Sequence, residues 1–263
     1  MLRRLFVTLI AATALFTLVS SQTAVSNTAF RVGEQISFNL YFNWKFVWYK
    51  VGTASMSVAD SKYKGKKALK CNIITRSNGK LDKYFFMRDT LLSYVSPNLL
   101  PYYYRKGAHE GKRYTVDEVW YETSGSQCKV KMQRLNNDKT ITRSEEQSVC
   151  DAYDMLTLFL RSRNYNFSQW KAGQTMKVDM VSGKGRGKGL ITFKGREKVK
   201  ADDGKKYETL RLEFAEYSKS KKKYQRLATF YITDDKRHLP VRLDFNLRFG
   251  EAKAYMTGAK GTI

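Results

Sequence analysis

Histidine, cysteine and proline are all scarce in this chain: its 263 residues include two His, three Cys and three Pro. Each shortage excludes something. His109 and His238 stand far apart, in no His-x-x-x-His spacing, and no two cysteines are close enough for a zinc knuckle, so no metal or cofactor is expected. No Gly-x-Ser-x-Gly elbow accompanies the histidines, which leaves a nucleophilic triad without a supporting motif. Three cysteines leave one over in any pairing. Cys71 shares strand parity with Leu69 and Ile73, and Cys128 with Val130 and Met132, so both point to an apolar face, where a free thiol behaves as a small hydrophobe. Buried, unpaired thiols are the expectation, with a Cys128–Cys150 bridge as the alternative. The prolines, Pro97, Pro101 and Pro240, all fall in two turn regions.

Acidic residues are also short, 24 Asp and Glu against 48 Lys and Arg, for a formal net charge of +24. Apolar runs long enough to cross a bilayer, roughly 20 residues, are missing altogether. The longest apolar run, Leu5 to Val19, follows Arg3 and Arg4, carries no charge and leads into Val19-Ser20-Ser21, the layout of a cleaved secretory leader over residues 1–21. No Cys follows that run before Cys71, so no lipoprotein acylation site is present and a periplasmic or secreted location is expected. Without residues 1–21, which carry two Arg and no acid, 46 bases face 24 acids, a net +22. So basic a surface attracts polyanions. Behind a leader these are lipid headgroups, acidic polysaccharide or acidic proteins, and nucleic acid is not expected. About 240 residues at 42% hydrophobic content suffice for one large domain over residues 22–263.

What is abundant is alternation with period two. Ile36, Phe38, Leu40 and Phe42 alternate with Ser37, Asn39 and Tyr41; Leu210, Leu212 and Phe214 with Arg211 and Glu213; Val241, Leu243, Phe245 and Leu247 with Arg242, Asp244, Asn246 and Arg248. Strands of this kind bury one face and wet the other, as in antiparallel sheets. Lys64-Gly65-Lys66, Asn136-Asn137-Asp138 and Asp202-Asp203-Gly204 read as turns. One segment has helical spacing instead: Ala152, Met155, Leu156, Phe159 and Leu160 share a face, Asp151 offers an N-cap, and Arg161 and Arg163 suit the C-terminal end. One amphipathic helix over about 151–163 is expected to plug an open side of the sheet. The fold class is therefore mainly β, a large curved antiparallel sheet or barrel-like form with one helix. Tyr94 to Pro101 and Tyr231 to Pro240 echo each other as strand, polar turn and Leu-Pro, either a half-repeat about the helix or a coincidence of turn chemistry.

Three patterns invite a chemical reading. The run from Ser182 to Gly189 resembles a phosphate loop, but its Lys is followed by Gly and its next residues, Leu190 to Phe193, read as strand. A basic hairpin tip is the reading, with Lys184, Arg186 and Lys188 as loose anion ligands. Aromatics interleave with bases at Trp44 and Trp48, and at Tyr102, Tyr104 and Arg105, as a stacking surface for sugars or headgroups or as core rings under Lys and Arg stems. Asp89, Glu110, Asp117 and Glu118 could serve a glycan hydrolase only at a defined separation, which sequence does not give.

The order of several motifs resembles a known family. Phe30-Arg31-Val32-Gly33-Glu34-Gln35-Ile36-Ser37-Phe38, Val51 to Val58, Phe86-Met87-Arg88-Asp89, Leu99-Leu100-Pro101, Glu110-Gly111, the helical segment, Trp170 to Gln174, Ile232 to Asp235 and Leu239-Pro240-Val241 together look like the exported family catalogued as domain of unknown function 3108. The resemblance spans nearly the whole chain after the leader. It implies a β-rich, curved or barrel-like envelope protein with no established activity and no catalytic residues to carry over. The strand-turn-Leu-Pro units also resemble the half-barrel lipoprotein carriers of the periplasm. The resulting expectation is a non-enzymatic exported protein that binds or carries an amphiphilic, anionic lipid or glycolipid. A scaffold for acidic partners or polysaccharide is the alternative, and a glycan hydrolase the third reading.

Overall fold

Among the described residues, alternating apolar and polar residues form fifteen strands. The computed structural model describes residues 24–79, 82, 86–124, 127–147, 151–247 and 250–263; the expected leader and Cys150 lie outside them. In chain order the elements are β1 Gln35–Trp44, β2 Val47–Tyr63, β3 Lys66–Ser77, β4 Met87–Val95, β5 Pro101–Glu110, β6 Arg113–Ser124, β7 Gln127–Leu135, β8 Ile141–Gln147, β9 Ala152–Tyr153, α1 Met155–Ser162, β10 Thr175–Ser182, β11 Gly185–Lys200, β12 Lys206–Ser218, β13 Lys223–Thr233, β14 Pro240–Leu247 and β15 Gly250–Lys260. All strands join one sheet, ordered β8 to β1 and then β15 down to β9. Every ladder is antiparallel except that of β9 with β10.

The sheet curls until its flanks touch, without a ladder between β8 and β9 among the described residues. The tip of the β10–β11 hairpin reaches across to β6 and β7. A Cβ at Gly183 would lie 2.3 Å from the Gln133 carbonyl oxygen and 2.5 Å from Asp117 Oδ1, so only glycine fits there. Arg186 on β11 meets Glu146 on β8 at 3.6 Å. The form is barrel-like and not closed.

Because the strands form a meander, alternate turns fall at alternate ends. The turns β2–β3, β4–β5, β11–β12 and β13–β14 lie at one end, together with residues 24–34. That end is plugged. The helix packs Leu156 and Leu160 against one core cluster with Ile36, Met56, Cys71 and Val241, and Leu158 against a second with Phe193, Leu210 and Ile232. Burying a side chain of this size contributes about 1.5–3 kcal/mol. At the C-cap of the helix, Arg163 forms a two-pronged ion pair with Glu34, Nη1 to Oε1 at 2.6 Å and Nη2 to Oε2 at 3.0 Å, both side chains 0% exposed. Arg163 also donates to the carbonyls of Ala29 and Arg237, and its own carbonyl lies 2.5 Å from His238 Nδ1. These bonds tie helix, N-terminal segment and β13–β14 turn into one plug.

The helix is shorter than expected. Ala152 and Tyr153 are held extended against Asp179 and Met180 of β10, which displaces the start to Met155. Asp154, not Asp151, is the N-cap. Its carboxylate accepts from the Thr157 amide at 2.8 Å, the Thr157 hydroxyl at 2.7 Å, Ser93 at 2.9 Å and Tyr121 at 3.1 Å, all buried. The cysteines are also corrected in part. Cys71 is a free, fully buried thiol, which burial pushes well above the usual range. Cys128 is disulfide-bonded. Its neighbour Lys129 pairs with Gln147, the last residue of β8.

The two Leu-Pro turns share their geometry. Val95 pairs with Pro101 and Ile232 with Pro240, each after a register shift. The Ser96 amide donates to the Leu100 carbonyl and the Thr233 amide to that of Leu239. Leu99 and His238, each two residues before Pro, have positive φ, 56° and 42°.

Candidate functional site

The turns β1–β2, β5–β6, β7–β8, β10–β11 and β12–β13 fall at the opposite end, and there the inner wall is not covered. Along β1, Ile36 and Phe38 are buried while Leu40 and Phe42 keep partial exposure. The same gradient runs from Val241 to Leu243 and Phe245 on β14, from Cys71 to Ile73 on β3, and from Leu212 to Phe214 on β12. These positions share one face by strand parity, so they line a concavity whose apolar wall remains reachable at its open end. Phe159 of the helix packs on Phe230 of this wall with ring centroids 5.9 Å apart, and Met155, one turn earlier on the same helix face, is exposed.

The facing wall is polar. Arg134 pairs with Asp117 at 2.7 Å, half of the contact on which Gly183 rests. Asp89 accepts from the His109 amide at 3.1 Å. Burial raises the Asp89 carboxyl, and the nearby Glu110 carboxylate raises it further against the opposing pull of Lys106. Glu110 pairs with Met87, two positions from the Ala108 that lies opposite Asp89, so the two acids share a face at neighbouring strand positions.

The rim of the open end is apolar and basic together. Phe46, at the β1–β2 tip, is 97% exposed, and Val47, Trp48 and Tyr49 beside it are exposed as well. Tyr114, Ile141, Tyr217 and Leu247 are exposed on the neighbouring strand ends. Exposed lysines occupy the intervening turns: Lys45, Lys112, Lys139, Lys184, and Lys219, Lys221 and Lys222 in the β12–β13 turn. The plugged end mixes signs, with Asp202, Asp203, Asp234 and Asp235 in its turns.

The residues singled out from sequence divide between places. Lys184 is at the β10–β11 tip, whereas Arg186 and Lys188 stand on β11, on the face opposite Ile191 and Phe193; Arg186 is held by Asp179 at 2.8 Å and by Glu146. Trp48 sits at the open rim under Lys253, whose Nζ is 4.2 Å from the ring centroid. Trp44 ends β1 at the same hairpin, its side chain outside the described residues. Tyr102 lies at the other end: Tyr63, which stacks on it at 6.2 Å, closes the strand in which Trp48 is the second residue. Fifteen residues of strand separate Trp48 from Tyr63, roughly 50 Å, so the two aromatic groups do not form one surface. Tyr104 is corrected outright. It is 2% exposed because its parity on β5 turns it into the core, while Arg105 faces outward.

Sequence reading missed an outer aromatic strip. Tyr63 stacks on Tyr103 at 5.8 Å, Tyr94 lies 5.3 Å from Tyr63, and Trp120 lies 5.7 Å from Tyr103. The strip opens onto a trough of about 590 Å³ across β6–β8, lined by Trp120, Glu122, Lys131, Gln133, Arg143 and Glu145 among others. Its rings come from separate strands, and only the register of β2 to β6 brings them together.

Comparison with known proteins places the fold. Residues 37–257 match the family described as protein of unknown function (DUF3108). No curated protein matches the sequence. Among solved structures, a beta-barrel-like protein of domain of unknown function DUF1849 from Brucella abortus superposes with a TM-score of 0.57 at 8% identity, over 89% of this chain and 100% of that one. A "putative lipoprotein" from Parabacteroides distasonis gives a TM-score of 0.38 at 8% identity, over 91% of this chain and 100% of that one. The Brucella abortus likeness is one of fold alone.

Proposed function

We propose, for a chain that belongs to the DUF3108 family of proteins of unknown function, that it is a non-enzymatic envelope protein which holds an amphiphilic, anionic lipid or glycolipid in the open concavity. The carrying observation is the gradient of burial along the inner wall, from Ile36 and Val241 to Leu40, Phe42, Leu243 and Phe245. An acyl chain entering there would remove half-exposed apolar area from water, at roughly 25 cal/mol per Å². The headgroup would remain at the rim, where lysines outnumber acids and attract negative charge. The reading takes residues 1–21 as a leader cleaved on export.

The experiment is incubation of the purified protein with an envelope lipid extract, re-isolation, and mass spectrometry of what elutes with it. A lipid or glycolipid at near-stoichiometric yield is expected, and it should be lost from Phe245→Glu, which sets a charge on the inner wall. Recovery of nothing at low and moderate salt would falsify the reading.

A second reading, docking on acidic polysaccharide, is supported by the outer strip of Tyr63, Tyr103 and Trp120 with Lys66 Nζ 5.9 Å from the Tyr102 ring centroid. Retention on an immobilised acidic glycan that is lost in Trp120→Ala, with no lipid in the concavity, would select it.

A further inference from the structure

The β1–β2 tip is built against local preference. A two-residue hairpin turn with positive φ at both positions favours Asn-Gly, since other residues meet their own carbonyl there. Here the two positions are Lys45 at φ 46° and Phe46 at φ 69°. Phe46 is 97% exposed, so neither packing nor backbone preference accounts for its presence. Val47, Trp48 and Tyr49 follow it, also exposed, and Leu247 projects from the β14–β15 hairpin beside it: a Cβ at Gly250 would meet the Asn43 carbonyl oxygen at 3.1 Å. Tyr114, Ile141 and Tyr217 extend exposed apolar surface to the other strand ends of that rim. Trp and Tyr with flanking Lys are the residues that settle at a bilayer's headgroup level, and Lys near an anionic surface adds attraction.

From this we infer that the open end docks on an anionic phospholipid bilayer, with Phe46 as the inserted wedge and the turn lysines on the headgroups. The site deepens the lipid-binding reading and rests on it for its purpose, because docking this end faces the concavity toward the membrane from which an amphiphile would enter. The occupant is a bilayer rather than an acidic protein, because the rim pairs its charge with a ring of apolar side chains at separate hairpin tips. A protein partner would need a contiguous complementary face, whereas a fluid surface accommodates separated wedges.

The test is co-sedimentation of the exported protein with vesicles of phosphatidylcholine alone and of phosphatidylcholine mixed with phosphatidylglycerol. Binding to the mixed vesicles, weakened but not abolished by salt, is expected, together with quenching of tryptophan fluorescence by brominated acyl chains. Lys45→Asn with Phe46→Gly supplies the residues that the turn favours, so the double variant should fold at least as stably while losing about tenfold or more in vesicle partitioning. Val32→Ser, an exposed apolar residue at the plugged end, should bind as the parent does. Three results would overturn the inference: no partition into anionic vesicles at low or moderate salt, equal binding by the double variant, or retention on acidic polysaccharide with none on vesicles. Lipid co-elution is read separately. A protein that holds lipid but ignores vesicles loses the docking surface and keeps the concavity, and one that docks but holds no lipid does the reverse.

Discussion

Removing the Glu34 carboxylate would leave the Arg163 guanidinium charged, unpaired and wholly enclosed. Glu34→Ala should therefore cost about 3–5 kcal/mol, read as a shift of the urea midpoint; a loss under 1 kcal/mol contradicts the description of the plug. The pair was invisible in sequence. Glu34 stands in a turn-like Gly-Glu-Gln, Arg163 ends an amphipathic segment, and 129 residues separate them. Asp154 carries a second prediction. Burial raises its carboxyl above the ordinary aspartate range against the pull of its hydrogen bonds from Thr157, Ser93 and Tyr121. With the folded-state value above the unfolded one, the stability from this proton is complete below the ordinary range and is lost as pH rises through the raised value. Asp154→Asn has no such proton, so the stability of the parent relative to the variant should grow as pH falls from neutral toward the ordinary aspartate range. Urea unfolding across pH measures it, and a difference that does not change with pH refutes the assignment.

At the level of elements, alternation was legible wherever a strand has one wet face, as in β1, β12 and β14. The helix was legible in kind but not in extent, because Asp151 and Asp154 are equally good caps and only the pairing of Ala152 and Tyr153 with β10 decides between them. The turn-and-Leu-Pro echo proved to be a shared backbone pattern at Leu99 and His238, one copy on each side of the helix. The close approach at Gly183 was not legible, since Gly183 is one of several glycines in a basic run and its neighbour is a distant strand. Gly183→Ala forces a Cβ against the Gln133 and Asp117 backbone, so the hairpin tip must lift from β6–β7. A loss of about 1–3 kcal/mol is expected, with faster amide exchange in both segments. Unchanged exchange there would show that the flanks do not meet.

Over the whole molecule, two ends of different character follow from one meander. Every second turn falls at the plugged end, where the helix and the Arg163–Glu34 pair fill the interior, and the others ring an apolar, lysine-rich mouth. Neither end could be told from composition, because the excess of bases is spread along the chain and only register sorts the turns. The two faces of a strand give the most direct measurement of what the mouth is for. Phe245 and Asp244 are adjacent on β14, the first on the inner wall and the second outward, held by Arg242 at 2.5 Å. A photo-cross-linking residue at each position, illuminated in intact host cells, should give lipid adducts from position 245 and none from 244. Equal yields at both, or adducts at neither, would contradict an amphiphile held inside the sheet.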